Sequence, residues 1–262
     1  NQALIGYALA NKDKGNHIIT TAIEHPSVLN TVQYLHDRYG FDVSFVKPKA
    51  DGTFPASLIE ENLRPDTILV SMMWANNETG QLLPVKEVGE LLKQHQAVFH
   101  VDATQVMGKI SVHPLDVSAD FLSASAHKFH GPKGVGGLYI RKGYALTPLL
   151  HGGEQMGGNR AGTVDVASMV GMGWAMKLAT STMAIAYEKN HVSKLRDKLE
   201  NAILELPETV VIGGKENRTP NTTLISFRGV EGESMLWDLN QNGIGASTGS
   251  ACASEDLEAN PV

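Results

Sequence analysis

Short apolar runs alternate with amphipathic segments along the first half of the chain. Runs of apolar and β-branched residues predict four strands, over 17–21, 42–46, 67–73 and 97–102. Apolar residues at helical spacing predict three helices, over 27–39, 55–63 and 84–95. Gly40 is a stop signal for the first of these helices. This strand-helix-strand rhythm favours a mostly parallel sheet covered by helices, with function at the carboxyl ends of the strands.

The pattern changes in the second half. From 164 to about 206 it is helical and too long for one helix of a globular domain, so more than one helix is predicted. A strand over 222–228 and a helix over 234–240 follow, and then a loop rich in small residues. We therefore predict two domains: residues 1–184 as a large α/β domain that lacks its N-terminal part, and residues 185–262 as part of a smaller α+β domain.

Composition narrows the class of protein. The 262 residues are 42% hydrophobic and carry a net charge of −6, which is typical of a globular protein and argues against a direct nucleic-acid surface. No apolar run approaches the roughly 18 residues of a membrane span, and no signal-peptide pattern opens the chain. The single cysteine excludes a disulfide within the chain and favours a cytoplasmic location.

A lysine stands between small polar residues and a Gly/Pro turn in the run from Ser123 to Gly134. This run follows an apolar strand, so Lys128 is expected at the mouth of the sheet, where a lysine can form a Schiff base with a carbonyl. Ser125 and His127 beside it can hydrogen-bond a phosphate. The alternative is an ordinary solvated lysine in a loop.

An acid ends the predicted strand 26 residues upstream of that lysine. A carboxylate such as Asp102 at the end of an apolar strand costs free energy unless it is paired. Pyridoxal phosphate (PLP) needs a carboxylate against its ring nitrogen to act as an electron sink. A turn or helix-cap aspartate is the alternative. The combination of strand-Asp with strand-Ser-x-His-Lys favours a covalently held cofactor aldehyde.

These residues resemble the class V aminotransferase-like PLP enzymes and, within them, the NifS/IscS-type cysteine desulfurases. The resemblance runs through nearly the whole chain in ordered blocks: 21–29, 76–80, 100–105, 126–128, 131–134 and 249–254. It implies the PLP-dependent transferase fold, similar to aspartate aminotransferase. In that fold a large domain holds a mostly parallel, seven-stranded sheet, and a smaller α+β domain accompanies it.

The resemblance also implies roles around the cofactor ring. Lys128 would hold PLP covalently and move the proton between the substrate α-carbon and the cofactor, and Asp102 would pair with the pyridinium nitrogen. Gln105 and Asn77 would reach the phenolic oxygen, although a polar turn after a strand also accounts for Asn77. His25 would stack on the ring and move protons. The alternative for His25 is a turn residue before a proline.

The phosphate is the other anchor that the resemblance implies. Ser125 and His127 would hold it, and Thr163 would reach it from a second subunit, which implies a homodimer. The family's Gly-Ala-Thr phosphate loop is expected before Asn1, and its arginine for the substrate carboxylate after Val262. Neither lies within this sequence, which suggests a fragment of a longer chain.

The single cysteine separates the candidate reactions. Cys252 lies in a run of small residues suited to a mobile loop, although a lone cysteine is often an inert small hydrophobe. By resemblance it would take the sulfur of L-cysteine as a persulfide, leave L-alanine, and deliver the sulfur to an iron-sulfur scaffold or a tRNA-thiolating enzyme. The alternatives are a class V aminotransferase without sulfur transfer and a non-catalytic relative of the fold.

Histidine spacing raises one further possibility, a metal site. His127 and His130 are three residues apart, and His95 and His100 are five apart. No HExxH motif or paired-cysteine spacing accompanies them, so no metal is predicted.

Overall fold

One six-stranded sheet forms the centre of the fold. A computed structural model describes residues 1–249 of the chain. The strands follow the order β2-β1-β3-β4-β5-β6 across the sheet. Strands β1 to β5 are parallel, and β6 runs antiparallel to β5. Their bounds are His17–Thr21 (β1), Asp42–Val46 (β2), Thr67–Met73 (β3), Val98–Asp102 (β4), Phe121–Ser125 (β5) and Gly136–Ile140 (β6).

Helices connect and cover these strands. The first four are Gln2–Ala10 (α1), Pro26–Tyr39 (α2), Ser57–Glu60 (α3) and Val85–Leu92 (α4). The strands predicted over 17–21, 42–46 and 67–73 are confirmed to the residue, and Gly40 ends α2 in the left-handed conformation at φ 71°. The helices predicted over 55–63 and 84–95 are shorter than expected. After α3 the chain continues in tighter turns, in which the Asn62 and Leu63 backbone N–H groups donate to carbonyls three residues earlier.

Both faces of the inner strands of the sheet are buried. Consecutive residues of a strand point to opposite faces, so Ile19 and Phe99 join the apolar cluster on the α4 side, while Ile18 and Val98 join the cluster on the side of α1 and α2. Because both faces are covered, the inner strands appear in the sequence as mostly apolar or β-branched runs without a polar alternation.

The parallel register brings the strand ends together. Met73 at the end of β3 pairs with Asp102 at the end of β4, and Asp102 pairs in turn with Ser123 on β5. Strand β6, which the sequence pattern did not predict, pairs Gly136 with Ser125 at the edge of the sheet. A Cβ on Gly136 would lie only 2.8 Å from the Ala124 carbonyl oxygen, so this close approach depends on glycine.

The predicted helical region from 164 to 206 contains three helices, as the pattern required. They are Val166–Ala179 (α5), Thr182–Tyr187 (α6) and Ser193–Ile203 (α7), and a π-helical segment, Glu188–Val192, joins the last two. Strand β7 (Thr209–Ile212), which was not predicted, pairs antiparallel with β8 (Leu224–Phe227), and helix α8 (Gly232–Gln241) follows. Residues 1–249 contribute six strands to the main sheet, against the seven that the resemblance implies.

Helix α5 is apolar and yet buries no residue. Val166, Val170, Trp174 and Leu178 are each more than half exposed. A contiguous apolar surface of this kind is typical of a protein-protein contact. Within the described part of the chain, no helix is long and apolar enough to cross a membrane.

Candidate functional site

Most of the predicted site residues lie at or just beyond the carboxyl ends of four parallel strands. His25 follows β1, Asn77 follows β3, Asp102 ends β4, and Ser125 ends β5. Three of these strands, β3, β4 and β5, are direct neighbours, and β1 lies next to β3. The topology therefore gathers at one edge of the sheet side chains that are up to 100 residues apart in sequence.

Asp102 is half-buried, and its carboxylate is largely uncommitted. Its Oδ1 accepts a hydrogen bond from the Thr104 backbone N–H at 2.9 Å, and it forms no ion pair within residues 1–249. Two residues earlier, His100 is hydrogen-bonded through Nδ1 to Ser71 Oγ and through Nε2 to Ser123 Oγ, both at 2.8 Å. Burial lowers the pKa of His100 to about 4. The histidine is therefore neutral at pH 7 and does not neutralise Asp102.

Lys128 lies on a single 3₁₀ turn, Ala126–Phe129, that directly follows β5. Ala126 and Phe129 are buried, and His130 closes the turn in the left-handed conformation at φ 67°. This anchoring leaves His127 and Lys128 exposed. Within the described chain, neither of these side chains forms a hydrogen bond.

His25 has a structural task of its own. It is the N-cap of α2, where its Nδ1 accepts a hydrogen bond from the Ser27 backbone N–H at 3.1 Å and lies 2.9 Å from Ser27 Oγ. Nδ1 therefore has a local structural contact. The other nitrogen, Nε2, forms no hydrogen bond within residues 1–249 and remains available for a ligand.

The residue before it, Glu24, was not identified from the sequence. Its carboxyl group is fully buried, and Oε1 accepts hydrogen bonds from Thr21 Oγ1 at 2.7 Å and from the Met73 backbone N–H at 2.8 Å. The second oxygen, Oε2, is buried without a partner in the described structure. Burial raises the pKa of Glu24 to about 8. Glu24 therefore ties the segment before His25 to the end of β3 as a neutral acid.

The two asparagines after β3, Asn76 and Asn77, differ in burial and in hydrogen bonding. Asn76 Oδ1 accepts hydrogen bonds from the Glu78 and Thr79 backbone N–H groups, and Asn76 Nδ2 donates to the Ile23 carbonyl. Asn76 is buried and builds the turn. Asn77 is half-buried, and its Nδ2 donates to Glu78 Oε1. The polar-turn alternative applies to Asn76 and leaves Asn77 as the ligand candidate.

Gln105 has a basic neighbour that sequence reasoning missed. Lys109 Nζ donates to Gln105 Oε1 at 3.1 Å. Burial lowers the pKa of Lys109 to about 8, and the positive charge of Lys128 contributes in the same direction. The two lysines are 19 residues apart in sequence, and only the fold brings them near each other.

Two predicted residues are not brought into this cluster. Thr163 lies in an exposed loop before α5 and forms no hydrogen bond to Ser125, His127 or Lys128. Cys252 lies outside the residues that the structure describes. Among residues 1–249, no group of three metal-ligating side chains is close enough together to hold an ion.

The available groups match the chemistry of PLP. Lys128 supplies a primary amine for an aldehyde, Ser125 and His127 supply donors for a phosphate, and Asp102 supplies a carboxylate for a pyridinium nitrogen. None of these four side chains forms an ion pair within the described residues. Fold and site together define the class: an α/β protein whose mostly parallel sheet presents, at its carboxyl edge, groups that fit PLP.

Comparison with known proteins gives the family. The profile of the family "Aminotransferase class-V" matches residues 1–260, and the chain belongs to this family. Class V aminotransferases and cysteine desulfurases are PLP-dependent. Several curated relatives are named cysteine desulfurase IscS. The one from Clostridium botulinum (strain Kyoto / Type A2) is 47% identical, and the one from Methanosarcina thermophila is 45% identical. Both matches cover 100% of this chain but only 66% and 64% of the relatives, so the chain spans about two thirds of their length.

Solved structures agree with this assignment. A NifS-like protein superposes with a TM-score of 0.87 at 39% identity, covering 93% of this chain and 66% of that one. DndA from Streptomyces lividans gives 0.82 at 35% identity, with 92% and 68% covered. SspA in complex with cysteine gives 0.79 at 33% identity, with 97% and 70% covered. The predicted fold class is confirmed.

Proposed function

We propose that the protein is a PLP-dependent cysteine desulfurase that converts L-cysteine to L-alanine and transfers the sulfur to Cys252. Family membership and the desulfurase names of the relatives support this reaction. The observation that carries the proposal is the Lys128 turn on the strand next to the one that ends in Asp102. That arrangement offers one group for the aldehyde of the cofactor and one for its ring nitrogen.

Four residues are proposed to hold the cofactor at its aldehyde, ring nitrogen and phosphate. When bound, PLP supplies a sink for the electrons that the substrate α-carbon releases. Lys128 is assigned as the covalent anchor because its amine is exposed and not hydrogen-bonded within residues 1–249. Asp102 is assigned to the ring nitrogen, and its negative charge stabilises the protonated form of that nitrogen. Ser125, which directly precedes the turn, and His127, which lies on it, are assigned to the phosphate.

Further residues are proposed to orient the ring. Gln105 and Asn77 carry amide groups that can donate to the phenolic oxygen. His25 is assigned to the ring face and to proton transfer, with Nε2 as the acting nitrogen because Nδ1 caps α2. Thr163 is exposed, which suits the proposed contact with a phosphate held in a second subunit.

Cys252 is proposed as the sulfur acceptor. Its thiolate attacks the sulfur atom of bound L-cysteine, so that an S–S bond forms and the substrate Cβ–S bond breaks. The electron pair of the broken bond stays with the substrate carbon, which takes up a proton and leaves as L-alanine. The protein keeps the sulfur as a persulfide.

The proposal extends to partners and location. The exposed apolar face of α5 supports a homodimer, since such surfaces are usually covered. An iron-sulfur scaffold or a tRNA-thiolating enzyme is the proposed acceptor of the persulfide sulfur, in the cytoplasm and without direct binding of nucleic acid. The domain division at 184 also remains a proposal, and that boundary falls inside α6.

Product analysis with L-cysteine tests the reaction. The wild-type protein with PLP should form L-alanine and a protein-bound persulfide. The variant Cys252→Ala should still bind PLP but form no persulfide. The variant Lys128→Ala should lose both PLP binding and persulfide formation. Undiminished alanine production by Cys252→Ala would favour an aminotransferase-like reaction without sulfur transfer. Failure of the wild-type protein to bind PLP would favour a non-catalytic relative.

A further inference from the structure

A lysine without a role in the proposed reaction lies against the Lys128 turn. Lys109 belongs to the segment after β4, and its Nζ donates to Gln105 Oε1 at 3.1 Å. The preceding residue, Gly108, has a φ of 76°, and a Cβ there would lie 3.2 Å from the Cβ of Phe129. Phe129 is the direct neighbour of Lys128. The segment that carries Lys109 therefore packs on the turn that carries the proposed cofactor lysine.

Hydrogen-bond chemistry determines which way the Gln105 amide faces. A lysine ammonium has three donors and no acceptor, so it can bind only the oxygen of the amide. The NH₂ group of Gln105 is then directed elsewhere, and it forms no hydrogen bond within residues 1–249. A phenolic oxygen is an acceptor and requires such a donor. With Lys109 charged, the hydrogen bond at 3.1 Å favours the amide orientation in which Oε1 points to Lys109 and the NH₂ group points away from it.

Charged groups on two further elements act on Lys109. Lys128 on the 3₁₀ turn disfavours its charged form, while Glu188 at the start of the π-helical segment favours it. Glu188 Oε2 is itself buried without a hydrogen-bond partner in the described structure. Burial raises the pKa of this carboxyl group overall, although His130 lowers it. Burial, the largest cause, and the charge of Lys128 together outweigh Glu188 and lower the pKa of Lys109 to about 8, so Lys109 is mostly charged at pH 7 and mostly neutral at pH 9. A neutral amine has a lone pair, so it can also accept from the Gln105 NH₂ group.

We propose that Lys109 is a positioning residue for the cofactor site: its ammonium holds Gln105 Oε1 so that the Gln105 NH₂ group faces the phenolic oxygen of PLP. This inference rests on the proposed PLP function. It gives a role to a side chain behind the proposed ligands, and it links cofactor affinity to the charge of that side chain.

A double-mutant cycle on PLP affinity at pH 7 tests the coupling. Lys109→Met keeps the length of the side chain but removes its donors and its charge, and it should weaken PLP binding about 3- to 10-fold, the size of one hydrogen bond. In a Gln105→Leu background the same change should alter the Kd less than about twofold, because no amide remains to be oriented. Additive effects of the two substitutions would overturn the proposal.

The pH profile separates positioning from a purely structural role. Lys109→Arg keeps a donor that remains charged at every accessible pH. Between pH 7 and pH 9 the wild type should lose about threefold in PLP affinity relative to Lys109→Arg, because only the lysine titrates in this range. A ratio of the two affinities that stays constant over this range contradicts the proposed mechanism.

Labelling of the cofactor-free protein provides a second readout. Competitive acetylation followed by mass spectrometry should give Lys109 a pKa of about 8 in the wild type and a higher one in Lys128→Ala, where the repelling charge is gone. An unchanged pKa would show that the two amines are not close, against the proposal.

Control variants distinguish the possible failures. Lys142→Met removes a positive charge from an exposed turn after β6 and should leave the Kd for PLP unchanged. If the wild type binds PLP and Lys109→Met binds it equally well, only the role of Lys109 is refuted. If the wild type does not bind PLP, the proposed function fails and this inference fails with it. Thermal melting of each variant shows whether it is folded.

Discussion

The buried acid Glu24 makes a strong prediction about stability and pH. Its pKa is raised from 4.5 to about 8 in the folded chain. Between these two values the folded state holds a proton that the unfolded state has released, so stability must fall as pH rises. At about 1.4 kcal/mol per pH unit, the 3.5 units correspond to roughly 5 kcal/mol, with no further change above pH 8.

The variant Glu24→Gln isolates this contribution. Glutamine retains an oxygen that can accept from Thr21 Oγ1 and from the Met73 backbone N–H, but it does not ionise. The free energy of unfolding, measured by urea denaturation, should therefore fall with pH relative to the variant. From pH 6.5 to 8 alone, the difference between the two proteins should change by about 2 kcal/mol.

Other titrating groups cancel in this comparison. His100, with its lowered pKa, binds more protons in the unfolded state, so it stabilises the folded state as pH rises from about 4 to 6.5. It is present in both proteins and drops out of the difference. Glu90→Gln is the matched surface control. Because the Lys93 ammonium lowers the pKa of Glu90 below its ordinary value, Glu90 is ionised in both states above about pH 5, and the difference between wild type and Glu90→Gln should stay nearly flat from pH 5 to 8. A flat difference between wild type and Glu24→Gln from pH 5 to 8 would refute the buried, protonated acid.

Three further predictions concern the cofactor and the subunit contact. Borohydride reduction of the PLP-loaded wild type should leave the cofactor on Lys128, and an adduct on Lys109 or Lys133 would contradict that assignment. Thr163→Asp places a negative charge beside the proposed phosphate, at a cost of roughly 1 to 4 kcal/mol, so PLP affinity should drop about fivefold or more; full affinity in a monomer would rule out the shared site. Trp174→Glu, on the exposed apolar face of α5, should shift sedimentation toward the monomer, and an unchanged dimer would place the contact elsewhere.

The sequence pattern predicted most of the helices and strands because buried positions are occupied by apolar residues at regular spacing. Strands β1 and β3 are buried at every position, so apart from His17 and Ser71 they consist of apolar and β-branched residues. Strand β6 escaped because its sequence begins with two glycines and its residues are only partly buried. Its extended conformation depends on pairing with β5, which local sequence does not encode.

Some residues of the candidate site could be predicted from the sequence, and others could not. Asp102 and Lys128 were identified as candidates from the sequence because each follows an apolar strand. An ionisable group at such a position costs free energy unless it is paired. Glu24 and Lys109 carry no such local signal. Glu24 accepts a hydrogen bond from the backbone N–H of Met73, which is 49 residues away. The pKa of Lys109 is lowered in part by the charge of Lys128, which lies on another element.

The sequence by itself determined the class of fold, the order of its strands along the chain, and the types of residue that follow the strand ends. Periodicity and motif spacing are local properties, and local physics is enough to state them. Only the tertiary structure decided which strand ends are neighbours, which acid is buried as a neutral group, and which lysine faces another. Those properties depend on desolvation and on charges brought close by packing, and neither exists until the chain has folded.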